Sequence, residues 1–423
     1  MKALVVGGGV GGLAAALCLH EAGVEVRVLE SVETIRPLGV GINLLPHAVR
    51  VLDRLGLLPR LAAAAVATAE LIYFNKFGQR IWREPRGLDA GYAWPQLSVH
   101  RGRLQAILLD EVQRRLGPDA VRTGCHLAEF EGRGDEVFAR FVSRKTGATV
   151  ASETGDVLVG ADGIHSCVRA TLFPDEGAPR FAGKVLWRAT TEAEPFLTGR
   201  SMIMAGHAAQ KFVAYPIRPE AEAPGRALVN WVAELDVGTT MPQRRDWNRR
   251  GSKADFAPAF AAWRFDWLDV PALIEGAAEV FEFPMVDRDP LERWSFGRVT
   301  LLGDAAHPMY PIGSNGASQA ILDAEALAAS LATTADVASA LARYEADRLP
   351  ATAAVVRSNR RMGPEVVMQM VEERAPHGFR NLHDVITREE LEETAARYKV
   401  IAGFDRDSLN RAGRSVPPGV GGA

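Results

Sequence analysis

Three glycines near the start of the chain, Gly7, Gly9 and Gly12, spell G-x-G-x-x-G. They follow a short apolar run, Ala3 to Val6, and open an Ala/Leu-rich stretch, Leu13 to Glu21, that reads as a helix closed by Gly23. Strand, tight turn and helix in that order are the setting that dinucleotide binding requires. The turn needs the conformational freedom of glycine, and the backbone must approach a pyrophosphate closely. The helix N-terminus then offers free N–H groups to phosphate oxygens. A second strand, Val24 to Leu29, ends at Glu30. A carboxylate there accepts hydrogen bonds from an adenosine ribose and repels a 2′-phosphate, so the site suits FAD or NAD rather than NADP.

A second turn can carry chemistry. Val299 to Leu302 is a buried-strand pattern, followed by Gly303-Asp304-Ala305-Ala306-His307, a loop to Gly316 and a long helix. A carboxylate beside a helix N-terminus suits a polyol chain and a ring carrying partial negative charge. The same junction is also an ordinary strand, loop and helix with Asp304 as an N-cap. Position alone leaves both readings open.

Gly303-Asp304-Ala305-Ala306-His307-Pro308 resembles the second flavin motif of the single-component FAD-dependent aromatic hydroxylases, the family of p-hydroxybenzoate and salicylate hydroxylases. Asp162-Gly163, within Val159 to Arg169, resembles that family's third motif, and the three motifs lie in its order and spacing. The resemblance implies that Asp304 and Gly316 serve the flavin and that Asp162 and Gly163 serve FAD and the nicotinamide cofactor. It places Arg101 near the pyrophosphate or ribityl chain, Gly41, Ile42 and Asn43 along the flavin ring, and the Leu127 backbone at the adenine. The family's G-x-G-x-N is replaced here by Gly313-Ser314-Asn315-Gly316-Ala317-Ser318. Further stretches, Ile35 to Asn43, Trp187-Arg188, Val229 to Val232, Pro284 to Pro290 and Met309 to Pro311, resemble members that hydroxylate phenazine carboxylates with loss of the carboxyl group. The stretch 235–280 and the tail from 360 match that branch less well.

These residues need a scaffold. The resemblance implies an α/β fold, a Rossmann-like FAD-binding domain interleaved with an antiparallel-sheet substrate domain of the p-hydroxybenzoate hydroxylase type. The FAD domain is expected over 1–70, 100–178 and 285–355, and the substrate sheet over 71–99 and 179–284. A helical segment over 356–410 and a disordered tail over 411–423 follow. Pro46 to Leu58, Leu104 to Leu116, Ala317 to Leu331 and Val337 to Leu349 read as helices. Lys184 to Thr191, Phe212 to Ile217, Ala227 to Glu234 and Ala278 to Phe283 read as strands.

The implied chemistry belongs to the cofactor. A hydride from NADH or NADPH reduces FAD, O2 adds at the flavin C4a as a hydroperoxide, and an electron-rich aromatic ring takes the oxygen, with or without decarboxylation. The protein must hold the ring and exclude water. No second G-x-G-x-x-G follows a later strand, so the nicotinamide cofactor is expected to bind transiently. Pro311, Tyr310 and Asn43 are the candidates beside the reacting atoms. Trp187, Phe212, Tyr215 and Asn43 are the candidates for the substrate pocket, with His207, His307 and Lys211 as carboxylate or hydroxyl partners. Asp287-Arg288-Asp289 reads as an ionic link between domains. The halogenases of the same fold carry W-x-W-x-I-P, which Trp263 and Trp267 do not form. A flavoprotein reductase or a non-catalytic flavin binder are the alternative readings.

Composition excludes other classes. A net charge of -3 gives no field toward nucleic acid or anionic lipid. The three cysteines, far apart, form neither a disulfide framework nor a metal-ligand pattern. The N-terminal glycines would break a signal helix, and no apolar run reaches the roughly 20 residues of a membrane span. A cytoplasmic enzyme, monomer or homodimer, acting on a small aromatic substrate is expected.

Overall fold

The computed structural model describes residues 1–37, 39–239 and 249–414. Leu38, inside the 35–43 motif, lies outside the described residues.

Short Val/Leu runs such as Ala3 to Val6 have no polar face, so they are stable only when covered on both sides, as in a parallel sheet. Five such strands build one, in the order Val299–Leu301, Val157–Gly160, Lys2–Val6, Glu25–Leu29 and Val121–Arg122, every pair parallel. The helices Val10–Glu21 and Gly316–Thr333 pack against each other over it. Both point their N-termini to the carboxyl ends of the central strands, where ligands bind in open α/β sheets.

The inserted sheet has seven strands, in the order Phe281–Asp287, Arg180–Ala193, Ala227–Asp236, Gln210–Pro216, Ser201–Gly206, Glu70–Phe74 and Arg80–Pro85. It is antiparallel except between Ser201–Gly206 and Glu70–Phe74, which run parallel. Strand alternation gives it two unlike faces. Leu186, Met202, Met204, Val213, Tyr215 and Val232 share one face. Trp187, Ile203, Phe212 and Trp231 share the other, packed under Phe256, Phe260 and Trp263.

Several expected boundaries move. Leu97–His100 does not join the seven-stranded sheet; it pairs with Gly41–Leu44 and Ala65–Ala67 in a small sheet of its own. The helix expected over 46–58 ends at Arg54, because Gly56 turns the chain at φ 74°, and a second helix runs over Leu58–Ala64. The helix from Val337 continues through Pro350 to Arg360. One proline removes a single backbone bond, and the buried Ala353, Val355 and Val356 hold the next turns in the core.

The C-terminal segment caps the molecule. Val367, Met368 and Val371, from the helix Val366–Arg374, pack on the first face of the seven-stranded sheet. Burying each contributes roughly 1.5–3 kcal/mol. Tyr398 and Phe404 join Leu45 and Tyr92. The disordered tail expected from 411 is corrected for its first residues, since Arg406–Arg414 is helical. Asp405 caps that helix through Ser408 N at 3.0 Å, and Asn410 anchors it to Ala93 N and Gly91 O. Residues 415–423 lie outside the described residues.

Candidate active site

The glycine turn has the shape that its spacing requires. Gly7 sits at φ 109°, and a Cβ there would meet Ala161 O at 2.4 Å. A Cβ on Gly12 would stand 2.0 Å from Gly7 O, so helix and strand can close only around glycine. Gly9, the N-cap, faces open space. The Glu30 carboxylate is fixed at the strand end by Gly8 N at 2.6 Å and Val32 N at 2.8 Å. Leu127 is a buried core side chain opposite Phe141, so only its backbone is available to a nucleotide.

From this turn a cavity of about 350 Å³ runs between the parallel sheet and the first face of the seven-stranded sheet. Gly9, Arg101, Gly163, Asp304, Gly316, Gly41, Ile42 and Asn43 line one side. Leu186, Arg188, Met202, Met204, Lys211, Val213, Tyr215, Val232 and Glu234 line the other, and Pro311 and Glu365 close it.

Asp304 opens onto this cavity, and no donor among the described residues hydrogen-bonds its carboxylate. The surrounding protein desolvates it and raises its pKa, against the pull of His307 and Arg101. Its turn is locked from behind. Asp323 accepts from Gly303 N at 3.1 Å, pairs with His307 Nε2 at 2.5 Å and is held by Arg348 at 2.8 Å. His307 is therefore committed to the scaffold. Asp162 is likewise turned inward. Its carboxylate accepts from Ser166 Oγ at 2.5 Å and Cys167 N at 2.7 Å, the start of the helix Cys167–Leu172. Ala161 and Gly163, not the Asp162 carboxylate, line the cavity.

Gly41 N donates to Asn230 Oδ1 at 2.6 Å, and a Cβ on Gly41 would collide with Asn230 at 2.7 Å. Ser98 Oγ donates to Asn43 Oδ1 at 2.6 Å, which sets that amide at the cavity wall. Opposite, Lys211 Nζ lies 2.8 Å from Glu234 and 2.5 Å from Glu365, and Lys184 adds 3.0 Å to Glu234. Burial alone would raise the Glu234 carboxyl, but Lys211 and Lys184 outweigh it and hold it below the ordinary carboxylate value.

Four residues expected at the substrate or the reacting atoms, Trp187, Phe212, Tyr310 and His207, do not line the cavity. Trp187 and Phe212 point to the far face of the sheet, Trp187 stacked on Phe256 at 5.0 Å and Phe212 on Trp231 at 5.7 Å. Phe212 and Tyr215 are an odd number of residues apart on one strand, so only one of them can face the cavity. It is Tyr215. Tyr310 packs at the edge of the sheet's cavity-side cluster and is not part of the cavity wall, whereas its neighbour Pro311 is. His207 lies in the turn after Ser201–Gly206, its Nδ1 accepting from Ala209 N, away from the cavity. The charges at 287–289 are paired: Arg360, at the end of the helix Val337–Arg360, reaches Asp287 at 2.7 Å and Asp289 at 2.6 Å, and Arg288 lies 2.9 Å from Glu176. Arg188, Met202, Met204 and Glu365 were not expected. Alternation from Tyr215 along its strand, extended across the sheet, points to the first three; Glu365 arrives from distant sequence.

In the replaced loop, Ser318 Oγ accepts from Leu45 N at 3.1 Å, and Asn315 Nδ2 donates to Tyr398 Oη at 3.0 Å. No helix among the described residues is long and apolar enough to cross a membrane. No group of three or more His, Cys, Asp or Glu among them could hold a metal ion.

These residues fit FAD. Gly9 and Gly163 leave free room, two helix N-termini and Arg101 face the same channel, and the Asp304 carboxylate lacks a donor. The chain matches the FAD binding domain family over residues 1–359. It is 49% identical to the phenazine 1,6-dicarboxylic acid hydroxylase of Lysobacter antibioticus over 360 residues, 84% of this chain and 88% of that protein. It is 31% identical to the 3-hydroxybenzoate 6-hydroxylase of Klebsiella oxytoca, over 86% and 88% of the two chains. A salicylate hydroxylase substrate complex shares the fold, with TM-score 0.74, 22% identity and 99% of each chain covered. Motifs, cavity and relatives agree: the chain belongs to the FAD-binding family of single-component aromatic hydroxylases.

Proposed function

We propose that this FAD-dependent aromatic monooxygenase hydroxylates a fused heteroaromatic carboxylic acid of the phenazine class, with NADH or NADPH as electron donor and O2 as oxygen source. The carrying observation is the 49% identity, over most of both chains, to a relative named for a phenazine dicarboxylic acid. The cavity supports it. Leu186, Met202, Met204, Val213 and Val232 form an aliphatic and methionine wall suited to the face of a flat ring system. When bound, FAD supplies the oxygen transfer.

The chain's own residues supply the rest. The glycine turn and Glu30 would hold the adenosine half, Asp304 would take the polyol, and Gly41 to Asn43 would run along the flavin ring. Pro311 and Asn43 line the same cavity and would border substrate and flavin ring. Val367, Met368 and Val371 cover the sheet and keep water from it. A cytoplasmic location goes with this reading, supported by three cysteines that are all unpaired. Oligomeric state, monomer or homodimer, is measured by light scattering.

The test is NAD(P)H oxidation by the holoenzyme with phenazine-1-carboxylate and phenazine-1,6-dicarboxylate against salicylate and 3-hydroxybenzoate, with product masses recorded. The expected result is strongest stimulation by the phenazines and a product that gains one oxygen, with or without loss of CO2. Faster turnover of a single-ring acid to its hydroxylated product would overturn the phenazine assignment.

A further inference from the structure

Two cations reach the cavity from the seven-stranded sheet, and their situations are opposite. Lys211 is neutralised: with Lys184 it faces Glu234 and Glu365, two positive charges against two negative ones. Arg188, two strands away, has no carboxylate within ion-pair distance among the described residues. Its Nη2 donates to Gly41 O at 2.9 Å, and its guanidinium carbon stands 5.9 Å from the centre of the Phe283 ring. Its Nε is buried with no hydrogen-bond partner. The Tyr215 hydroxyl lies beside it. Arg188 and Tyr215 both line the cavity.

A partly buried guanidinium facing a cavity without a counter-ion is costly, and its buried, orphaned Nε–H adds to that cost. Such a group persists where a ligand completes it. The planar fork of arginine matches a carboxylate better than any other side chain does. One edge of this fork is already fixed by a backbone carbonyl, so the guanidinium is oriented before a ligand arrives. We propose that Arg188, assisted by the Tyr215 hydroxyl, is the group that binds the substrate's carboxylate and so selects acids over neutral analogues. The inference rests on the proposed aromatic-acid substrate and assigns its recognition to a named pair. A neutral analogue would leave the guanidinium unpaired, which is the stronger way to discriminate. Lys211 is excluded from the role because a second anion there would face Glu234 and Glu365.

The test is an equilibrium titration of the oxidised holoenzyme, followed by flavin absorbance, with phenazine-1-carboxylate and its neutral near-isostere phenazine-1-carboxamide. The native enzyme is expected to prefer the acid by roughly 10- to 100-fold, the range for a hydrogen-bonded charge. Arg188→Met should bring the acid down to the level of the amide, change amide binding by less than about threefold and leave FAD content unchanged. Arg188→Lys keeps the charge without the fork and should retain part of the preference. An unchanged acid-to-amide ratio in Arg188→Met overturns the proposal. Loss of FAD from both variants overturns it too, because the guanidinium would then serve the cofactor. If neither phenazine perturbs the native flavin, the phenazine reading fails separately, and the same comparison is run with the best acid of the substrate screen and its amide.

Discussion

The two faces of the seven-stranded sheet come from the same strands and do opposite work. The far face is an aromatic wall, in which Trp187, Phe212 and Trp231 pack under Phe256, Phe260 and Trp263. The cavity face holds methionines, aliphatics and charges that are paired or waiting for a partner. Aromatic residues attract attention as substrate-stacking groups, but here they supply the rigidity. Their large burial stabilises the sheet. The cavity face then carries adaptable Met202 and Met204 and a buried charge network that would be too costly on a weaker support.

Substitutions on each face can break this contrast. Trp231→Ala should have the largest effect, lowering stability by about 3–5 kcal/mol in denaturant unfolding. The acid-to-amide preference of the variant that still folds should stay native; a changed preference would mean that the far face also shapes the pocket. Lys211→Met strands Glu234 and Glu365, and should cost about 3 kcal/mol, the lower end for a broken buried pair because Lys184 stays on Glu234. Replacing Glu234 by Gln in the same background should recover part of that loss.

The third prediction concerns pH. The folded-state pKa of Glu234 lies below its ordinary 4.5, so its contribution to stability is complete above that pH and fades as pH falls toward the folded value. Glu234→Gln should therefore flatten the acid limb of the stability curve by up to about 1.4 kcal/mol per pH unit. The cost of Trp231→Ala, with no titrating group, should not vary with pH there. Met202→Leu should have the smallest effect, about 1 kcal/mol or less in stability, with a change of a few-fold in KM for the aromatic substrate. A stability loss as large as that of Trp231→Ala would erase the difference between the faces.

The nucleotide end was legible because its chemistry is local. Gly7, Gly9, Gly12 and Glu30 lie within one strand, helix and strand, where spacing alone sets geometry. The Gly303-Asp304 turn was equally local, and the structure leaves its carboxylate free for a ligand. Asp162 shows the limit of a motif: its carboxylate is spent on the next helix, and the backbone beside it lines the cavity. The pocket was legible only in part. Tyr215 and Phe212 were named together although a pleated strand separates them, an error that alternation alone could have prevented. Glu365 had no local signal, since it reaches Lys211 from far along the chain.

By itself the sequence pointed to a dinucleotide without a 2′-phosphate at the first turn, and its resemblance to a flavin motif pointed to Asp304 as a carboxylate for the flavin's polyol chain. It did so because those contacts are made by backbone and short-range spacing. Only the tertiary structure decided which sheet face meets the cavity, that Lys211 is already neutralised, and that Arg188 is not. Whether a charge is paired depends on groups brought together from four distant segments, around Gly41, Arg188, Lys211 and Glu365. Burial then fixes the result, because in a low-dielectric cavity an unmet charge keeps its full demand for a partner.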